Sequence, residues 1–291
     1  MLAHRLAVVT AVATCVLIVF GGLVTNTGSG LAVPDWPNTF GHNLFLFPWS
    51  GMVGGVFYEH THRLLGALVG ALTLALAAAL WPRGGRLRAL GAVAVLAVCV
   101  QGVLGGLRVV LLQDTLAIVH GSLAQAFFAL VVAIALLTSR RMTVAPTGIE
   151  PGLRSLTVAG AVLVYVQVVF GALLTHAGRI DLHLAGAVAV FVVLPMVTAR
   201  LRRSGDGVAA PVAHALLVLL GLQLALGVGA YLSRFSPIWI PGGQVTMLAV
   251  PVVHRLAGGL VFALAVLLAV RVCGVAGTWR PVGDPAMARP S

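Results

Sequence analysis

The sequence predicts an all-α integral membrane protein with eight transmembrane helices, arranged as two pseudo-symmetric four-helix bundles. Three observations lead there: composition, the length of the apolar runs and an internal repeat. Of 291 residues, 60% are hydrophobic and 9% are charged, and the mean hydropathy is +1.07. Soluble domains carry roughly 25% charged residues. So little polar surface cannot cover a globule in water, which excludes a soluble enzyme, a disordered chain and a secreted disulfide domain.

A spanning helix needs roughly 20 mostly apolar residues. Eight runs qualify: 6–25, 58–81, 89–111, 115–138, 155–176, 181–201, 210–232 and 249–272. The three cysteines, Cys15, Cys99 and Cys273, lie within these runs or at their edge, with no Cys-x-x-Cys spacing. That argues against a zinc site, a disulfide framework and covalently attached haem.

Charge sets the expected topology. All 18 basic residues are arginine, and with seven acids they give a formal charge of +11. Arg5, Arg83, Arg86, Arg88, Arg140, Arg141, Arg154, Arg200, Arg202, Arg203, Arg271, Arg280 and Arg289 fall on one side of the alternating runs. The positive-inside rule puts that side, with both termini, in the cytoplasm. Arg63, Arg108, Arg179, Arg234 and Arg255 fall at the outer ends. The net charge then reports topology, and no nucleic-acid partner is expected.

The repeat is read from ordered matches. Phe20-Gly21-Gly22-Leu23-Val24-Thr25 is echoed by Phe170-Gly171-Ala172-Leu173-Leu174-Thr175, and Gln101 with Gly105 by Gln223 with Gly227. His120 followed by Phe128-Ala129-Leu130 is echoed by His254 followed by Phe262-Ala263-Leu264. This divides the chain into units 1–140 and 150–275 with a cytoplasmic tail, 276–291. Four helices per unit make the repeat parallel. A signal-peptide reading of the first run is disfavoured because that run has an internal copy. One long outer segment, 26–57, breaks the symmetry. Its Trp36, Phe40, Phe45, Phe47 and Trp49 suit a membrane interface, and the segment is placed to act as a lid over the first unit.

Ionisable residues within membrane helices are costly and default to functional candidates. His4, His42 and His214 sit in or near loops. His176 ends the fifth run. Each even-numbered run carries one histidine about a turn from its outer end: His62, His120, His183 and His254. One such histidine reads as helix-packing glue; four in register across a repeat read as ligands. Two imidazoles per unit, without cysteine or a carboxylate cluster, suit axial ligation of haem iron better than zinc. Gly66, Ala124 and Gly258 follow their histidines by four residues and Gly186 by three, leaving room for a flat ring. Arg63 and Arg255 directly follow histidines, where they serve either haem propionates or lipid headgroups. Glu59 precedes His62 by three residues, roughly 60° away on one helix face, while His60 lies about 160° from His62 and faces elsewhere. The second unit has no equivalent carboxylate: Pro251 precedes His254 by three residues, and Arg179-Ile180-Asp181 precedes His183. Glu59 therefore suggests chemistry on a bound ring in the first unit; the competing reading is a simple pair with an outer arginine.

Together these residues resemble the haem A synthase family. The likeness rests on Thr27-Gly28-Ser29-Gly30-Leu31-Ala32-Val33-Pro34-Asp35-Trp36-Pro37, on Glu59-His60-Thr61-His62-Arg63, on His120-Gly121 and on Val253-His254-Arg255-Leu256. It covers the chain to about 275. The resemblance implies oxidation of the C8 methyl of haem O to the formyl of haem A through hydroxylated intermediates, for terminal oxidase assembly in the plasma membrane. It implies haem b as cofactor on His183 and His254 with Arg255, substrate haem at His62 and His120 with Arg63, and Glu59 as the essential acid. Partners would be haem O, haem A and membrane lipid, with haem O synthase and oxidase assembly factors further candidates. Many members of the family carry a cysteine where Val33 stands, so here the lid is expected to rely on proline rigidity and packing. The competing function is a bis-histidine b-type cytochrome passing electrons from quinol.

Overall fold

The computed structural model describes residues 1–236 and 241–273. The 276–291 tail, with Arg280 and Arg289, lies outside the described residues. Among the described residues, eight helices are long and apolar enough to span a membrane. They are α1 (Leu2–Asn26), α2 (Gly54–Leu80), α3 (Gly85–Leu111), α4 (Asp114–Leu137), α5 (Pro151–Ala177), α6 (Ile180–Arg203), α7 (Ala209–Phe235) and α8 (Gly243–Cys273). Every predicted run is a helix. Most start a few residues earlier than their apolar stretch, as α8 does at Gly243 rather than 249. Hydropathy marks where side chains turn apolar. The backbone stays helical into the interface because each N–H and C=O must find a partner there.

The helices pack in closed circuits. α1 contacts α2 and α4, and α3 contacts the same two; α5 contacts α6 and α8, and α7 contacts the same two. α8 also touches α1 and α4, and α4 touches α5. One buried cluster joins Ala3, Ala7, Val69, Leu76, Ala94, Phe127 and Ile134 from α1–α4. A larger one joins Leu153, Leu194, Leu216 and Leu268 from α5–α8 and takes in Ile18, Phe128 and Ala129. The echoed pairs Phe128-Ala129 and Phe262-Ala263 are thus buried in one cluster. At the α4–α8 seam, a side chain at Gly259 would collide with Gln125 Oε1. Close approach of this kind holds helices together where lipid removes the hydrophobic drive between them. Thr10, Thr14, Thr73 and Thr157 each return a hydroxyl to the carbonyl four residues back, which satisfies a polar group inside an apolar helix.

The end opposite the histidines is closed by a buried ion pair. Arg271 on α8 donates to both oxygens of Asp206, Nε to Oδ1 at 3.0 Å and Nη2 to Oδ2 at 2.7 Å. Its Nη1 reaches the Val144 carbonyl at 2.6 Å. Asp206 also accepts from the N–H groups of Val208 and Ala209 at the start of α7 and of Thr147. The arginine grouped with the surface topological charges is therefore an internal clasp between α8, the 204–208 turn and the 138–150 connection. Burial alone would raise the Asp206 carboxyl; the Arg271 guanidinium and the three backbone N–H groups outweigh it and hold the pKa well below the usual range. A depressed folded-state pKa contributes stability that is complete above the unfolded value, about 4, and lost as pH falls below it. Asp206→Asn is expected to cost about 3 kcal/mol by stranding a buried cation. Thermal melts in detergent check this: the wild type should lose more stability than the variant as pH is lowered from 5 to 3.

Candidate functional site

The four histidines face each other in two pairs across the helices. His62 on α2 and His120 on α4 have ring centres 6.4 Å apart, with planes at 79°. His183 on α6 and His254 on α8 are 6.3 Å apart at 76°. A linear bridge through one metal ion needs about 6.4 Å between ring centres, from metal–nitrogen bonds of about 2.0 Å and about 1.2 Å from each ring centre to its nitrogen. Both pairs meet that spacing. No group of three or more His, Cys, Asp or Glu able to hold a metal occurs among the described residues. A two-imidazole set leaves four equatorial positions for ring nitrogens, which fits haem.

Each imidazole rests on a glycine of the preceding helix. A side chain at Gly21 would lie 3.1 Å from His62 Cε1, at Gly105 3.3 Å from His120, at Gly171 3.4 Å from His183 and at Gly227 3.1 Å from His254. These glycines sit in the stretches that signal the repeat, but their service as ring seats is not visible in the chain. The expected haem-facing small residues divide. A side chain at Gly66 would meet open space, whereas at Gly186 it would collide with Gln167 Oε1 and at Gly258 approach Gln223 Nε2 to 3.1 Å.

Glu59 is buried at 4% exposure. Its Oε1 accepts from Arg63 Nη2 at 2.7 Å and its Oε2 from the Val33 N–H at 3.0 Å. Arg63 also donates to the carbonyls of Asp35, Asn38 and Val33. So the pairing of Glu59 with an arginine is present, and both residues pin the 27–53 segment. This corrects the expectation that proline rigidity and packing alone hold that segment. His60 points away from the pair as its helical angle requires: its Nδ1 lies 3.0 Å from Thr39 Oγ1 and its ring lies 5.0 Å from that of Phe47, tilted by 48°. Asp35 accepts from the N–H groups of Phe40 and Gly41. Slight burial raises its carboxyl, but those N–H groups and Arg63 prevail and lower the pKa. Trp36 lies against α3, where a side chain at Gly106 would collide with its ring. Phe45 and Trp49 are exposed.

Cations gather at the same end. Arg255 lies beside Gly22 of α1, where a side chain would come within 3.3 Å of its Nη1, and that Nη1 is buried without a hydrogen-bond partner. Such a group needs an anion, and a haem carboxylate would meet that need. Arg108, His176 and Arg234 line a cleft of about 190 Å³ beside Thr25 and Gly30. Arg179 is instead committed to Asp181 at 2.7 Å.

Comparison with known proteins agrees with the geometry. The family COX15-CtaA, described as cytochrome oxidase assembly protein, matches residues 50–182. A heme A synthase of Shouchella clausii is 30% identical over 181 residues, covering 59% of this chain and 58% of the relative. One of Alkalihalophilus pseudofirmus is 31% identical over 148 residues, 48% of each. The chain thus spans about half the length of the relatives it matches. The matched residues 50–182 carry Glu59, His62, Arg63 and His120, so the likeness to the COX15-CtaA cytochrome oxidase assembly proteins takes in the first histidine pair and its glutamate.

Proposed function

We propose that this multi-pass membrane protein is a haem A synthase, oxidising the C8 methyl of haem O to the formyl of haem A. The observation that carries the reading is the pair of facing imidazole sets at 6.3 and 6.4 Å, of which one alone has a buried glutamate a turn away. We assign substrate haem to His62 and His120 in a first unit, 1–140, and a resident haem b to His183 and His254 in a second, 150–275. When bound, the resident haem would accept electrons one at a time and pass them to an external acceptor. Each hydroxylation of the methyl carbon adds the oxygen of one water and releases two protons and two electrons. Loss of water from the doubly hydroxylated carbon leaves the formyl.

Glu59 takes a proton, or stabilises positive charge developing at the methyl carbon. A carboxylate has about four acceptor positions, so its bonds to Arg63 and Val33 leave lone pairs for this. Arg63 holds the 27–53 segment over the site and so limits water access. Arg255 receives a haem carboxylate. Both termini lie in the cytoplasm of a plasma-membrane protein, with the histidine ends outward. Co-expression with a source of haem O, followed by chromatography of the extracted pigment, tests the reading. Haem A should appear only with this protein. Two permanent low-spin haems and no haem A would instead favour an electron-transferring cytochrome.

A further inference from the structure

The haem reading leaves two cations unused, and they meet in one cleft. Arg108 of α3 and Arg234 of α7 line it together with Thr175 and His176 of α5, Thr25 of α1 and Gly30 of the outer segment. None of the four facing histidines lines it, nor do Glu59, Arg63 or Arg255. The chain leaves room there for a guanidinium: a side chain at Gly30 would come to 2.7 Å from Arg108 Nη2 and 2.9 Å from its Nη1. The hydroxyls of Thr25 and Thr175 are committed to the carbonyls of Gly21 and Gly171, so Arg108, Arg234 and His176 are the side-chain donors at the cleft. The ion pairs among the described residues are Glu59–Arg63, Asp181–Arg179 and Asp206–Arg271, and none of them takes up Arg108 or Arg234. The charges close to His176 are Arg108, Arg234, Arg255 and Asp114, three cations against one acid. Like charges crowded around a volume of about 190 Å³ repel, and an anion between them turns repulsion into attraction.

We propose that this cleft binds a phosphate group, carried by a phospholipid of the leaflet at the histidine end. A guanidinium fork matches phosphate geometry and pairs with it bidentately. The volume is below the ~300–1,000 Å³ usual for a drug-sized ligand, so it admits a headgroup phosphate and not a tetrapyrrole. Leu111, three residues after Arg108, and Tyr231, three before Arg234, are exposed at 52% and 48%. Positions three apart are neighbours on a helix. Each arginine therefore borders an apolar surface on which an acyl chain can lie, while its charged head reaches the interface. Inorganic phosphate offers the same oxygens without that apolar contact. A bound phosphate ties Arg108 to His176 and Arg234. This site goes beyond the haem reading and does not depend on it.

The test is native mass spectrometry of the purified full chain in detergent, both haem-free and loaded with protohaem. Phosphatidylglycerol is titrated in, and inorganic phosphate is added as a competitor in a second series. The wild type should retain a phosphatidylglycerol in both haem states. Arg234→Gln changes an exposed side chain and should weaken that retention about 10–100-fold, the scale of a lost hydrogen bond to a charged group. Gly30→Ala should weaken it as well, because the added carbon displaces the Arg108 head without removing its charge. Arg179→Gln removes a cation already paired with Asp181 and should leave retention unchanged. Lipid that inorganic phosphate fails to displace supports the phospholipid as carrier; displacement gives the site to the free ion and overturns that carrier. Equal retention by the wild type, Arg234→Gln and Gly30→Ala overturns the inference. So does loss of the lipid on haem loading, which would give the cleft to a haem carboxylate and leave the haem reading standing. A chain that keeps the lipid but takes up no haem overturns the haem reading alone.

Discussion

Glu59→Gln is expected to lower haem A formation at least about 100-fold, the scale of a lost proton-transferring group, with haem uptake unchanged. The substitution nearly conserves volume, and the new amide oxygen can still accept from the Val33 N–H. What disappears is the negative charge and the ion pair to Arg63. Chromatography of haem O, its hydroxymethyl derivative and haem A from cells co-expressing a haem O source gives the readout. Wild-type haem A levels would remove Glu59 from the mechanism. Accumulated hydroxymethyl product would place it in the second oxidation. Arg63→Gln separates the charge from the loop, because it frees the carbonyls of Val33, Asp35 and Asn38 while keeping the Glu59 carboxylate. A milder loss there than in Glu59→Gln marks the carboxylate as the acting group.

Removing the ligands should divide the two pairs. His254→Ala or His183→Ala is expected to replace the low-spin Soret band of the purified protein with a high-spin one and to abolish haem A formation, since one imidazole leaves a resident haem five-coordinate. His62→Ala is expected to retain the low-spin band and still lose haem A formation about 100-fold or more, because the substrate loses an axial anchor that sets its position. Absorption spectra and pigment chromatography on the same preparations check both halves. The opposite pattern, with the band lost in His62→Ala and kept in His254→Ala, would exchange the roles of the two pairs.

Much of the site was legible along the chain because its signals are local. A charged or ionisable residue inside an apolar run stands out in a protein with 9% charged residues. His62, His120, His183 and His254 were visible in this way, as was Glu59 on the His62 side of α2. The 3.6-residue period also separated His60 from His62, and His60 does face Thr39 and Phe47. For other residues, position alone did not reveal the contacts they make. Arg271 sits at a helix end among topological arginines, yet its partner Asp206 is 65 residues away. Arg63 follows a histidine, yet its guanidinium is used by carbonyls of the 27–53 segment 25 to 30 residues back.

By itself, the sequence determined the number of spanning helices among the described residues, their approximate bounds and the end at which the four histidines collect. Hydropathy and helical period are properties of neighbouring residues and need no knowledge of the fold. Only the tertiary structure decided which histidine meets which, at 6.3 and 6.4 Å, which glycine seats each ring, and that glutamine amides touch the second pair alone. Those are distances between helices, set by how closely small residues let the backbones approach. No window along a single chain contains them.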